Sequence, residues 1–299
     1  MKKYFIALVL VGLFFSLPRI LFAQDFSAIE IKAIKISESI YIFEGSGGNI
    51  GVSVGTDGTL IIDDQFAPLS EKILAAIKNI GGDTPAFVLN THWHGDHTGG
   101  NQEFGKDAHI IAHENVRTLL ETRQIIEQFN MVSEPHPKEA LPVITFSKDL
   151  TLHFNDETIR VIHVPGGHTD GDSVIFFEKA GVVHMGDLFF SGMFPFIDLD
   201  HGGNVERFTA NVKKILDELP ADAIIIPGHG PLSGITELRA YHRMLVATSE
   251  IIHTALKEGK TAEDIKQEGV LEEWDEWSTG VLSTDRWIDI AYRSLSRSN

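Results

Sequence analysis

At 299 residues, with 43% hydrophobic and 22% charged residues, the chain has a globular composition, which argues against a largely disordered or fibrous protein. Its formal charge of −17 shows no basic stripe for a phosphate backbone and argues against nucleic acid as a partner. Cysteine is absent, which removes disulfides, thiolate nucleophiles and thiolate metal ligands together.

Residues 1–23 read as an export signal. Lys2 and Lys3 precede an apolar run from Tyr4 to Leu17, and Leu21-Phe22-Ala23 ends in a small residue before Gln24. Cleavage after Ala23 is expected, giving a periplasmic or secreted protein with no lasting membrane insertion. The competing reading is a retained anchor, but Pro18 and Arg19 interrupt the run. Residues 24–299 carry no linker that would split them and are read as a single domain.

Residues 29–64 alternate β-rich runs (Ile40 to Phe43, Val52 to Val54, Leu60 to Ile62) with glycine turns, predicting an antiparallel meander. Ile73, Leu74, Ile77 and Ile80 then share one helical face. A buried strand at residues 86–89 leads into a histidine-rich segment. Further on, residues 101–104 read as helical, 109–112 as a strand and 114–130 as a helix. Residues 131–142 hold three prolines and read as a mobile connection or lid. A second strand series is expected at 143–146, 151–153, 159–164, 173–178, 181–185 and 223–226. Helices are expected at 205–218, 234–257 and most of 262–297. Two strand sets, each followed by helices, predict two mixed, mostly antiparallel sheets packed face to face with helices outside, a four-layer αββα sandwich of the α/β class. The helices after residue 234 form a C-terminal extension.

The segment His92-Trp93-His94-Gly95-Asp96-His97 places four potential ligands within six residues. On an extended chain His92 and His94 point to the same side and can converge on one ion. Gly95 allows a sharp turn, from which Asp96 and His97 can reach a second. Without cysteine, any ion must be held by His and carboxylate, a set suited to zinc, iron or manganese. His168 follows a strand and the turn Pro165-Gly166-Gly167, Asp187 ends the strand Val182 to Gly186, and His229 ends Ala223 to Ile226. Each therefore sits at a strand terminus.

Thr91-His92-Trp93-His94-Gly95-Asp96-His97-Thr98-Gly99-Gly100-Asn101 resembles the signature of the metallo-β-lactamase superfamily. Pro165 to Thr169, Gly186-Asp187-Leu188 and Pro227 to Gly230 follow in that family's order, so the resemblance spans about residues 35–235. It implies the same αββα fold and two zinc ions, with iron or manganese as alternatives. It makes His168 the third histidine on the ion of His92 and His94. His229 joins Asp96 and His97 on the second ion, and Asp187 bridges both. The expected activity is hydrolysis of an amide, ester or lactone carbonyl by a hydroxide shared between the ions, with Asp96 holding it in line. Asp187 stands where one lactamase branch places a cysteine thiolate, which weakens a β-lactamase assignment. The alternatives are a glyoxalase II-like thioesterase and an iron-dependent redox enzyme of the same fold; His94 argues against the diiron pattern. The substrate class is a small molecule.

His109, His153, His163 and His184 lie in or beside strands and read as packed residues. His113 and His201 adjoin loops that could border a cleft. The run Met193-Phe194-Pro195-Phe196-Ile197-Asp198-Leu199-Asp200 reads equally as a wall for an apolar substrate and as a loop packed on its own aromatics. Trp274, Trp277 and Trp287 fit either packing onto the sandwich or a subunit contact.

Overall fold

The structure is a computed structural model that describes residues 25–297; the export-signal reading of residues 1–23 lies outside the described residues. β1 (Lys32–Lys35), β2 (Ile40–Glu44), β3 (Ile50–Gly55) and β4 (Gly58–Ile62) form the expected meander. Gly58, at φ 115°, makes the tight turn between β3 and β4. The helix α1 (Ser70–Asn79) carries the chain to β5 (Phe87–Leu89). Two short helices, α2 (Gly95–Thr98) and α3 (Asn101–Phe104), carry it on to β6 (His109–His113). β5 and β6 add in parallel, as crossover connections require.

Two expectations are corrected in the next stretch. The helix predicted for residues 114–130 ends early: α4 covers only Glu114–Leu120. A hairpin of β7 (Gln124–Ile126) and β8 (Met131–Ser133) follows, its bend made by Asn130 at φ 50°. Apolar residues in 114–130 suit a helical period and a two-faced hairpin equally, so periodicity could not separate them. β9 (Ile144–Phe146), expected in the second strand set, instead pairs in parallel with β6. It completes a seven-stranded sheet ordered β1-β2-β3-β4-β5-β6-β9.

The second sheet contains β10 (Asp149–Phe154), β11 (Glu157–His163), β12 (Ser173–Phe177), β13 (Val182–His184), β14 (Ile224–Ile226) and β15 (Ser233–Gly234) in that order. All its pairs are antiparallel except β13 with β14, which the helix α5 (Val205–Glu218) separates in sequence. Asn204 caps α5 by accepting the Arg207 N–H at 2.9 Å, and Val205, Phe208, Val212 and Ile215 form its buried stripe.

Alternation along the strands builds the layers. Ile40, Ile42, Leu60, Ile62 and Leu89 of the first sheet face Ile159, Val161, Ile175 and Phe177 of the second, giving the central core. The opposite face of the first sheet, with Val52, Ile61 and Val88, packs on Ile73 and Ile77 of α1. That of the second, with Val174, Phe176 and Val183, packs on α5 and the C-terminal helices α6 (Ile235–Lys257), α7 (Ala262–Gln267) and α8 (Thr284–Arg297). The result is the αββα sandwich. Trp287 of α8 is fully buried and donates its Nε1–H to Thr248 of α6 at 2.9 Å, which resolves that tryptophan as internal packing. Among the described residues no helix is long and apolar enough to cross a membrane.

Candidate metal centre

Because β4 and β5 run parallel, as do β13 and β14, their C-terminal ends open on one edge of the sandwich. His92, His94, Asp96 and His97 follow β5, Asp187 follows β13 and His229 follows β14, while His168 lies in the loop after β11. The structure brings all seven together, as one group of His92, His94, His168 and Asp187 and a second of Asp96, His97 and His229. None of the other nine histidines belongs to either group.

In the first group Nδ1 of His94 lies 3.1 Å from His92 Nε2 and 2.8 Å from His168 Nε2. Asp187 Oδ2 stands 3.4 Å from His168 Nε2 and 3.8 Å from His92 Nε2. In the second, His229 Nε2 lies 3.3 Å from both His97 Nε2 and Asp96 Oδ2. Asp187 Oδ1 is 3.1 Å from His97 Nε2 and 3.4 Å from His229 Nε2. The two oxygens of one buried carboxylate thus face different groups. Oδ1 is buried without an aligned hydrogen-bond donor despite those neighbours. Ligands ~2.0–2.1 Å from a tetrahedral zinc stand ~3.3 Å apart, so these nitrogens and oxygens fit around divalent cations.

The far nitrogen of four of these rings is anchored, which fixes the edge each turns inward. Nδ1 of His92 meets Thr91 Oγ1 at 3.0 Å, and Nδ1 of His168 meets the Phe196 carbonyl at 2.8 Å. Nδ1 of His97 meets Asp63 at 2.8 Å, and Asp63 also accepts the Thr91 N–H and hydroxyl, each at 2.7 Å. Nε2 of His94 meets Asp198 Oδ2 at 2.9 Å, and the same oxygen receives His201 Nδ1 at 2.7 Å. Asp63, held at φ 62°, and Asp198 were not singled out from sequence. The signals for them were thin: an acid just past β4, and an acid three residues before His201. Close backbone approach completes the cradle. A Cβ at Gly228 would stand 2.0 Å from Asp187 Oδ1, and one at Gly48 2.1 Å from His97 Cε1.

The electrostatics divide the groups. Burial, reinforced by the charge of neighbouring histidines, lowers the pKa of His92 well below normal. Burial takes His168 down to about 4. For His229 burial also opposes protonation, but the Asp187 and Asp96 carboxylates outweigh it and raise the pKa to about 10. His97 is raised the same way by Asp187, Asp96 and Asp63. Positive charge is therefore strongly favoured between Asp96 and Asp187.

A cleft of about 520 Å³ opens on Asp96, Asp187, His94 and His229. Met193 and Phe196 of the 193–200 run line it, whereas Phe194 stacks on Trp287 at 5.8 Å in the core. Both sequence readings of that run are thus partly right. His201 lies behind His94 against Trp93, and His113 stacks on His163 at 3.7 Å, so neither lines the cleft. The hairpin that replaces the predicted end of the helix contributes Ile126, Phe129 and Met131.

Residues 41–229 match the model of the Metallo-beta-lactamase superfamily. An uncharacterized protein of Aquifex aeolicus (strain VF5) is 31% identical over 191 residues, 62% of this chain and 85% of that one. The hydroxyacylglutathione hydrolase of Chelativorans sp. (strain BNC1) is 28% identical over 227 residues, 74% of this chain and 75% of that one. A metallo-beta-lactamase from Pontibacter korlensis superposes with a TM-score of 0.59 at 19% identity, over 72% of this chain and 99% of that one, a likeness of fold. With the sandwich, the two ligand groups and the family match in agreement, the chain belongs to the metallo-beta-lactamase superfamily and is a metal-dependent hydrolase.

Proposed function

We propose that this protein is an exported binuclear zinc hydrolase acting on the amide, ester or lactone carbonyl of a small molecule. The observation that carries the reading is Asp187, whose two oxygens face two separate ligand groups at 3.1–3.8 Å. His92, His94 and His168 would hold one ion, Asp96, His97 and His229 the other, and Asp187 both. Ions bound there supply Lewis acidity and lower the pKa of water from 15.7 toward ~7, so that hydroxide is available at neutral pH.

The chain's own residues do the rest. Asp96, with 29% of its side chain exposed toward the cleft, accepts a hydrogen bond from the attacking water and aims its oxygen at the carbonyl carbon. Thr91, Asp63, Asp198 and the Phe196 carbonyl keep the imidazoles from turning, so little reorganisation is needed as charge develops. Apolar side chains of Ile126, Phe190 and Phe196 wall the approach to the reacting carbonyl.

A glyoxalase II-like thioesterase is the second reading, favoured by the similarity to the Chelativorans enzyme. Elemental analysis of protein purified without chelator, coupled to hydrolysis of a cephalosporin, an aryl ester, an acyl lactone and a thioester, tests the proposal. Two zinc per chain with ester or lactone turnover is expected. Iron with no hydrolysis would sink it in favour of redox chemistry, and turnover of the thioester alone would select the second reading.

A further inference from the structure

We propose that the cleft selects uncharged, hydrophobic acyl substrates, and that the β7–β8 hairpin together with the C-terminal extension sets this preference. The inference rests on the hydrolase reading only for where the scissile carbonyl sits. Ile126, Phe129 and Met131 of the hairpin, Phe190 and Phe196 below them, and Val281 of the extension surround the approach to the metal centre. The ionisable groups in the lining are His94, Asp96, Asp187 and His229, all of them metal-site residues. No lysine or arginine is among the lining residues. A carboxylate or phosphate on the substrate's tail would therefore leave water without a cation to meet it, a cost that an alkyl or aryl tail does not incur.

The hairpin is built as a wall. Ile126 pairs with Met131, and both line the cleft; Ile125 pairs with Val132 on the opposite face, where they are 45% and 50% exposed. A two-stranded ribbon of this size is marginal alone, and α8 supplies its anchor. Arg286 donates to the Gln128 carbonyl at 3.2 Å and lies over the Phe129 ring at 5.3 Å, and Arg293 reaches Glu127 at 3.5 Å. Both arginines are thus engaged by the hairpin, and neither is among the residues that line the cleft. On the far side Gly280 packs so closely on Met193 that a Cβ would stand 2.7 Å from its sulfur, which brings Val281 to the mouth, 73% exposed. These contacts come from residues 280–293, beyond the family match that ends at residue 229. Specificity is therefore carried by parts of the chain that the metal motifs do not include.

The test is a series of p-nitrophenyl esters from acetate to decanoate, with matched esters bearing a terminal carboxylate, on the zinc-loaded full chain. kcat/KM should rise about threefold per added methylene over the first few carbons, and each carboxylate-tipped ester should fall at least tenfold below its neutral match. Val281→Asp and Met131→Lys should flatten the chain-length slope, and Met131→Lys should also narrow the gap to the anionic esters. Zinc content and melting temperature show whether each variant is folded. A flat slope in the parent chain, or equal turnover of neutral and anionic esters, would overturn the proposal. Preference for a glutathione thioester over a neutral acyl thioester would do the same. If no ester turns over despite two bound zinc ions, the ester reading falls. Calorimetry with N-methyldecanamide against N-methylacetamide then decides the cleft by itself: tighter binding of the longer amide, weakened by Val281→Asp, supports it, and equal or absent binding refutes it.

Discussion

Asp198 shows how a residue that touches no substrate can govern the centre. Burial works against its charged form, but hydrogen bonds from His201 and His94 outweigh this and hold its pKa below the usual carboxylate range. It therefore stays an acceptor, and the Nδ1 edge of His94 stays turned toward His92 and His168. Asp198→Asn should weaken zinc affinity by about 10–100-fold with little change in melting temperature of the metal-free chain, measured by competition with a chromogenic chelator. Asp96→Ala removes an acceptor at the reacting atoms and should lower kcat at least about a hundredfold; near-parental turnover in a folded, zinc-loaded variant would refute its assignment. His92, His94, Asp96 and His97 were legible in sequence because they crowd into six residues beside glycines. His168, Asp187 and His229 became legible through motif order. Asp63 and Asp198 were not, since a lone acid near a strand end commonly caps a helix or faces solvent, and only the fold shows which imidazole it meets.

At the scale of elements, the two sheets meet not only through their core but through a pair of strand-end histidines. His113 ends β6 and His163 ends β11, their rings stacked 3.7 Å apart and 13° from parallel. Burial lowers the pKa of both, and the charge of His113 lowers that of His163 further. A depressed folded-state pKa contributes stability that is present above the unfolded value near 6.5 and is lost as pH falls through the folded value. His163→Gln should accordingly lose less stability than the parent chain between pH 7 and 5, by urea denaturation with chelator present in both. An equal acid-side loss would show that the pair does not titrate as described. Strands were readable wherever short apolar, β-branched-rich runs lay between turn residues, as in Leu60-Ile61-Ile62 and Ile159 to Ile162. The hairpin at 124–133 and the partner of β9 were not. The hairpin's apolar residues suit a helical period equally well, while β9 pairs with residues more than thirty positions away, and a three-residue strand carries too little pattern to name its partner.

For the whole molecule, the ligands come from residues 92 to 229, so the metal centre exists only once both sheets have docked. Binding free energy then becomes folding free energy. Stripping metal with a chelator should lower the melting temperature by roughly 10 °C, since ligand at a thousandfold over Kd contributes ~4 kcal/mol and each kcal/mol shifts Tm by ~2–4 °C at this size; added zinc should restore it. An unchanged melting temperature would mean that the seven groups do not bind metal in the folded state.

The amino-acid order by itself determined the sandwich class and the metal chemistry, because both are written in short-range patterns: period-two strands, amphipathic helices, a histidine cluster in a chain without cysteine. Which carboxylate braces which imidazole, and what lines the approach to them, was decided only when distant segments packed. The cleft draws on residues from Phe66 to Val281, and proximity between such positions is a property of the closed tertiary structure that no local pattern encodes.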